Sequence, residues 1–430
     1  MSTHQIKRDL SSTLLGQAFA QLLATVAYLV LVRLYLPEAF GGFALYVSLT
    51  TIIATFACFR LELLLPLAKT AVECSTLITM CVVLMLTVFG GVLLVTIGFR
   101  TELAHLFALK KSASWLLVWL APGTMAAAGS AIMAQMALRA GRAPILPLTR
   151  CGQVLAALAI QLALARRQDD SVGLVIGDLV SKVLEIVVLS GLLRADFASL
   201  HVIPSPKSWA AALRRHRRFL STSAPAGILN TVAVYIPQVL SNLVYGAQSA
   251  GYFSVAQRAL NLPTSALTQG SSRVFTSHLT RAIRTKPSDV ITVFKSSLKR
   301  VALIGLPIFL VASVLAPSLI PRLLGAKWEP SVPLFLAMTP LAVGQLMAGA
   351  VSTTLYCVGF YGWELAWNGI RLALVSLAFW LPVRFNLQLL GSTVLFSLVT
   401  AVMYGILVYI SWIAINRATE AGLENTGSAD

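Results

Sequence analysis

Residues 224–275 read APAGILNTVAVYIPQVLSNLVYGAQSAGYFSVAQRALNLPTSALTQGSSRVF. A first apolar segment, about 224–245, runs into a short turn at Gly246–Gly251, and a second apolar segment follows. The second carries Gln257, Arg258, Asn261 and Pro263, more polarity than contact with lipid alone would tolerate. The pattern has a counterpart 210 positions earlier. There Leu34-Tyr35-Leu36-Pro37-Glu38-Ala39-Phe40-Gly41-Gly42-Phe43 stands against Val244-Tyr245-Gly246-Ala247-Gln248-Ser249-Ala250-Gly251-Tyr252-Phe253, with Tyr, Gly and Phe matching. An offset close to half of the 430 residues predicts two copies of a six-span unit.

Hydrophobic residues make up 57% of the chain, charged residues 11%, and mean hydropathy is +0.81. Soluble domains carry about 25% charged residues, so this is a polytopic all-α membrane protein. The formal net charge of +17 fits a positive-inside bias of the loops and gives no reason to invoke nucleic acid. The five cysteines (Cys58, Cys74, Cys81, Cys151, Cys357) are scattered through apolar runs with no CxxC spacing, which predicts core thiols and no metal or redox site. No Gly-Lys dipeptide, HExxH or GxSxG occurs, so there is no sign of an ATPase, an enzyme or a cofactor site.

About 20 mostly apolar residues cross a bilayer. On that criterion twelve spans are expected, near 13–32, 42–68, 76–99, 113–138, 145–165, 172–193, 220–245, 250–272, 301–320, 331–358, 363–383 and 388–415. Two parallel six-helix bundles around a central cavity follow, because an even number of spans per half gives both halves the same orientation. The expected domains are residues 1–200, a basic linker at 201–219, a second bundle at 220–415 and a disordered polar tail at 416–430. Lys and Arg are concentrated in the segments that share a side with the N-terminus, which places both termini in the cytoplasm. The first apolar run reads as an uncleaved span, and no outside loop is longer than the one at about 100–112.

Within the linker, Trp209-Ala-Ala-Ala-Leu213-Arg214-Arg215-His216-Arg217-Arg218-Phe219 has an apolar and a basic side. It reads first as an interfacial anchor under anionic lipid, and otherwise as a headgroup or partner site.

Charges inside spans are costly and tend to face a bundle interior or watery cavity. The candidates are Arg60, Glu62, Asp178, Lys182, Glu185, Arg258, Glu364 and Arg371. Asp178, Lys182 and Glu185 recur at helical spacing and read as a self-neutralising pair with a neighbour. Arg258 has no acid within four positions, and two readings of it stay open. One is a fork that grips phosphate; the other is an ion pair with an acid such as Glu62 from elsewhere in the bundle.

The run Arg33-Leu-Tyr-Leu-Pro-Glu-Ala-Phe-Gly-Gly-Phe-Ala-Leu-Tyr46, then Phe59-Arg60-Leu61-Glu62, resembles bacterial polysaccharide flippases of the O-antigen and exopolysaccharide type. Ala250-Gly-Tyr-Phe-Ser-Val-Ala-Gln-Arg258 with Leu262-Pro263 is similar to their second-half motif. Leu61 departs from the pattern, where an aromatic is common. These flippases belong to the superfamily of multidrug, oligosaccharidyl-lipid and polysaccharide exporters. The resemblance implies an undecaprenyl-pyrophosphate-linked glycan as substrate, membrane lipid around it in the bacterial inner membrane, and a polysaccharide polymerase with chain-length machinery as partners. By motif match it carries over Arg33, Arg60, Glu62 and Arg258, with the arginines on the diphosphate. Gln17, Gln21, Asn230, Gln257 and Asn261 are then the expected sugar contacts. The rivals are a drug or cation antiporter of the same fold, which wants unpaired acids in its cavity, and a membrane polymerase or ligase, which wants a large outside loop.

Overall fold

The computed structural model describes residues 3–107, 115–165, 171–198, 205–285, 289–358 and 360–427. Its helices are α1 (Thr3–Leu34), α2 (Pro37–Ala57), α3 (Ala71–Gly98), the short α4 (Arg100–Leu106), α5 (Leu120–Arg139), α6 (Ile145–Ala163), α7 (Val172–Leu192), α8 (Arg194–Ala198), α9 (Pro206–Arg215), α10 (Ala224–Thr285), α11 (Val290–Leu324), α12 (Ser331–Ala350), the one-turn α13 (Thr354–Cys357), α14 (Tyr361–Arg384) and α15 (Leu389–Gly427). No strand occurs among the described residues.

Local chemistry sets many of these limits. Pro37 opens α2 at a position where a missing N–H costs nothing. Thr70 caps α3 by accepting from the Glu73 N–H at 3.1 Å, while the Glu73 carboxylate accepts from the Lys69 N–H at 3.0 Å. Ser205 caps α9, with Pro206 behind it.

Among the described residues, ten stretches are long and apolar enough to cross a membrane. One of them, Phe219–Ile283, is bent at Gly246 into two arms. To these α7 adds a 21-residue helix, set apart by the charges of Asp178, Lys182 and Glu185. Twelve spans were expected; ten stretches of the described residues meet the criterion, and α7 does not, because it carries three charges. Several boundaries differ from expectation: α1, α2 and α11 begin earlier, at Thr3, Pro37 and Val290, and the second arm of α10 runs on to Thr285. The second span ends at Ala57 instead of 68, the turn after the seventh is the single residue Gly246, and α15 runs past 415 to Gly427 where an irregular tail was expected. The loop expected at 100–112 begins as α4, and its remainder from 108 lies outside the described residues.

Contacts divide the chain into Met1–Gly251 and Tyr252–Asp430. The division falls after Gly251, beyond the linker at 201–219, because the first arm of α10 packs into the N-terminal unit. Its Val239 lies in one core cluster with Leu45, Tyr46, Leu117, Leu120 and Val175. A second cluster of that unit joins Leu64, Leu65, Leu77, Met80, Ile132 and Met136, and includes Cys58, Cys74 and Cys81. The C-terminal unit packs Phe275, Leu279 and Phe294 with Ile415, and Leu355 and Trp367 with Met403 and Leu407.

Within the N-terminal unit the repeated motif meets its own copy. A methyl group on Gly41 would stand 1.7 Å from the Ala247 carbonyl oxygen, and one on Gly251 would stand 1.9 Å from that of Pro37. Pro37 and Ala247, like Gly41 and Gly251, are 210 positions apart. The contact is therefore reciprocal, each copy of the motif placing its glycine on the other's helix start, as across a two-fold axis. Only glycine lets two backbones approach so closely. Gly41 and Gly251 hence lie at the same end of their spans, as the repeat requires.

Candidate functional site

Two consecutive residues in left-handed conformation, Phe59 (φ 45°) and Arg60 (φ 57°), end α2 and turn the chain into a 3-10 segment, Leu61–Leu67. Each such residue costs about 1–2 kcal/mol when it is not glycine, and strain of this kind gathers at functional sites. The break takes Arg60 and Glu62 off a regular helix. Read as helical, residues two apart would face different ways. In the folded chain the Arg60 charge instead acts on the Glu62 carboxyl.

Arg60 crosses to the first arm of α10 at Gly227. A methyl group there would lie 2.8 Å from the Arg60 Cδ and Nε and 3.0 Å from Cζ, so the absence of a side chain is what admits the guanidinium. Asn230 follows one turn later on the same helix face, exposed. Glu62 is half-buried, and its enclosed Oε2 makes no hydrogen bond among the described residues. Burial pushes the Glu62 carboxyl up, opposed by its own backbone N–H and by the Arg60 guanidinium. Arg60 and Glu62 thus meet at this end of the N-terminal unit, with Gly227 giving the guanidinium room and Asn230 one turn along the same helix face.

The remaining expected residues of this unit lie elsewhere. Arg33 is exposed in the last turn of α1, at the other end of α2 from Arg60. Gln17 and Gln21, one turn apart on α1, are both exposed.

In the C-terminal unit the second arm of α10 turns Phe253, Ala256, Leu260 and Thr264 inward, all buried. Arg258 sits on the opposite side of that helix, exposed, with Gln257 and Asn261 half-buried beside it. Pro263 does not break the helix; Gly246 is its non-helical residue.

The other intramembrane charges are engaged locally. Lys182 Nζ meets Asp178 Oδ2 at 2.6 Å, and Ser130 Oγ donates to Glu185 at 2.5 Å. Arg371, 2% exposed, stacks on Trp367 and Tyr404 at 4.7 and 5.6 Å and donates to the Tyr404 hydroxyl at 3.2 Å. Two polar residues escaped the sequence reading. Gln238 donates to the Ala250 carbonyl at 3.0 Å, and Asn242 is fully buried with neither amide atom hydrogen-bonded among the described residues. Their i, i+4 spacing in an apolar arm was the available signal. No group of three or more His, Cys, Asp or Glu able to hold a metal occurs among the described residues.

A family model described as polysaccharide biosynthesis protein matches residues 30–333. The chain belongs to the polysaccharide biosynthesis protein family. The matched region includes Arg33, Arg60, Glu62, Asn230, Gln257, Arg258 and Asn261; Gln17 and Gln21 precede it. No curated protein sequence matches the chain significantly. Among solved structures, the inward closed conformation of the lipid II flippase MurJ is similar at TM-score 0.71 and 13% identity, covering 96% of this chain and 90% of that one. An inward-facing multidrug resistance MATE transporter of the MOP superfamily is similar at 0.69 and 13%, covering 94% and 96%. A Vibrio cholerae MATE transporter follows at 0.62 and 12%, covering 96% and 98%. This family member thus has the all-helical fold of MOP superfamily transporters and is a multi-pass membrane protein.

Proposed function

We propose that this protein is a flippase that carries an undecaprenyl-pyrophosphate-linked oligosaccharide from the cytoplasmic to the periplasmic leaflet, for lipopolysaccharide or exopolysaccharide synthesis. The carrying observation is the polysaccharide-biosynthesis family match over 30–333 on a fold shared with a lipid II flippase. The substrate's diphosphate and sugars cannot cross hydrocarbon unaided, because a charge or an unpaired polar group is costly to desolvate. Arg60, Arg258 and Arg33 hold the diphosphate in turn, with Glu62 positioning Arg60. Asn230, Gln257, Asn261, Gln17 and Gln21 offer amides to sugar hydroxyls, while the prenyl tail stays in lipid. Alternating access moves the head across, with both termini in the cytoplasm of a bacterial inner membrane. Downstream consumers are a polymerase and its chain-length machinery.

Deleting the protein should leave lipid-linked oligosaccharide in the cytoplasmic leaflet, and Arg258→Ala should fail to restore export at normal membrane abundance. Losing a hydrogen bond to a charged group costs about 1.5–3 kcal/mol, so export should slow at least about tenfold. Arg258→Lys should recover part of the rate, since it keeps charge without the planar fork. Unchanged glycan export with increased drug sensitivity would overturn the flippase reading in favour of an antiporter of the same fold.

A further inference from the structure

We propose that α9, with the arginines that follow it, is a fixed binding site for anionic phospholipid headgroups on the N-terminal unit. A free amphipathic helix would sink its apolar side into lipid. Here that side is spent on protein. Ala212 is buried and Trp209 packs on the core cluster of Leu77, Met136 and Leu193, while Ser208 and Thr76 share a hydrogen bond at 3.2 Å. Glu73, at the start of α3, clamps the far end, meeting His216 at 3.0 Å and Arg215 at 3.3 Å.

With the helix clamped, Lys207, Arg214, Arg217 and Arg218 are left exposed at its surface. Glu73 is already engaged by Arg215 and His216, and Asp196 of α8 is engaged by Arg142 at 3.1 Å. Depth identifies the ligand. The 28 residues of α3 span about 42 Å, against roughly 30 Å of hydrocarbon and 40–45 Å including headgroups. Glu73 and Thr76 lie in its first two turns, so α9 docks in the headgroup layer. Further along α3, Val83, Leu84, Leu86 and Leu94 are exposed, an apolar surface suited to acyl chains. Guanidinium groups at phosphate depth beside a lipid-facing span fit an anionic headgroup by both charge and position.

The test is hydrogen exchange of the full chain in nanodiscs of phosphatidylcholine with and without phosphatidylglycerol. Phosphatidylglycerol should slow exchange over 206–218 by severalfold. The triple variant Arg214→Gln/Arg217→Gln/Arg218→Gln should need about a hundredfold more anionic lipid for the same protection, at about 1 kcal/mol per basic residue near the surface. Equal exchange in both nanodiscs, or phosphatidylglycerol protection that survives in the triple variant, overturns the site. So does protection by a soluble polyanion added to phosphatidylcholine nanodiscs when phosphatidylglycerol gives none. No transport enters the readout, so the outcome is independent of the flippase reading.

Discussion

Gly41→Ala should be among the most damaging single-methyl changes in the protein. The added methyl would stand 1.7 Å from the Ala247 carbonyl oxygen and 2.6 Å from its carbon, whereas ordinary contact begins at 3.4 Å. The obstacle is backbone on a helix start, so no side-chain rotation relieves it. The two helix starts must separate by about 1.7 Å, the difference between those distances. Overpacking a tight contact costs about 1–3 kcal/mol, and the upper end applies where both partners are backbone. Because the crossing is reciprocal, Gly251→Ala should cost a similar amount. The double variant should cost clearly less than the sum, since the first methyl already opens the crossing. Gly90→Ala, in α3 with nothing within 4 Å of the new methyl, is the control and should be neutral or stabilising by up to about 1 kcal/mol. Thermal unfolding of the purified protein, read beside membrane abundance, measures all four variants. Wild-type stability in Gly41→Ala, or strict additivity of the pair, would refute the reciprocal crossing.

Gly227→Ala pushes on the movable end of Arg60, so stability should fall by less than about 1 kcal/mol while glycan export drops severalfold; an export rate at wild-type level would mean that the position of Arg60 is immaterial. Glu62→Gln tests the raised carboxyl. Since burial favours the neutral acid in the folded state, the wild-type contribution is full at low pH and is lost as pH rises through the raised pKa. The glutamine variant should therefore gain thermal stability over wild type as pH rises, with the gain vanishing at low pH, and a pH-independent difference counts against it. Lys182→Met leaves Asp178 uncompensated in a span and should cost about 3 kcal/mol, recovered largely by adding Asp178→Asn, as unfolding of single and double variants will show.

Composition and span periodicity alone established an all-helical, multi-pass membrane protein, because a bilayer imposes length and apolarity on each helix independently of its neighbours. The 210-residue repeat was equally open to reading, since duplicated structure keeps its turn residues in register. Arg60, Glu62 and Arg258 stood out because charge is rare inside spans, and Arg33 by its place in the family motif. Tertiary structure decided what those residues touch. Residues 58–68 are as apolar as a span, yet the chain leaves α2 at Ala57 through left-handed Phe59 and Arg60, and Leu61, Leu64 and Leu65 pack against α3 and α5. The approach of Gly41 to Ala247 joins residues that sequence separates by 206 positions, and no local propensity encodes it. The clamp of Glu73 on His216 is of the same kind. A carboxylate that caps its own helix looks complete in sequence, and its second partner exists only once α9 has folded back along α3.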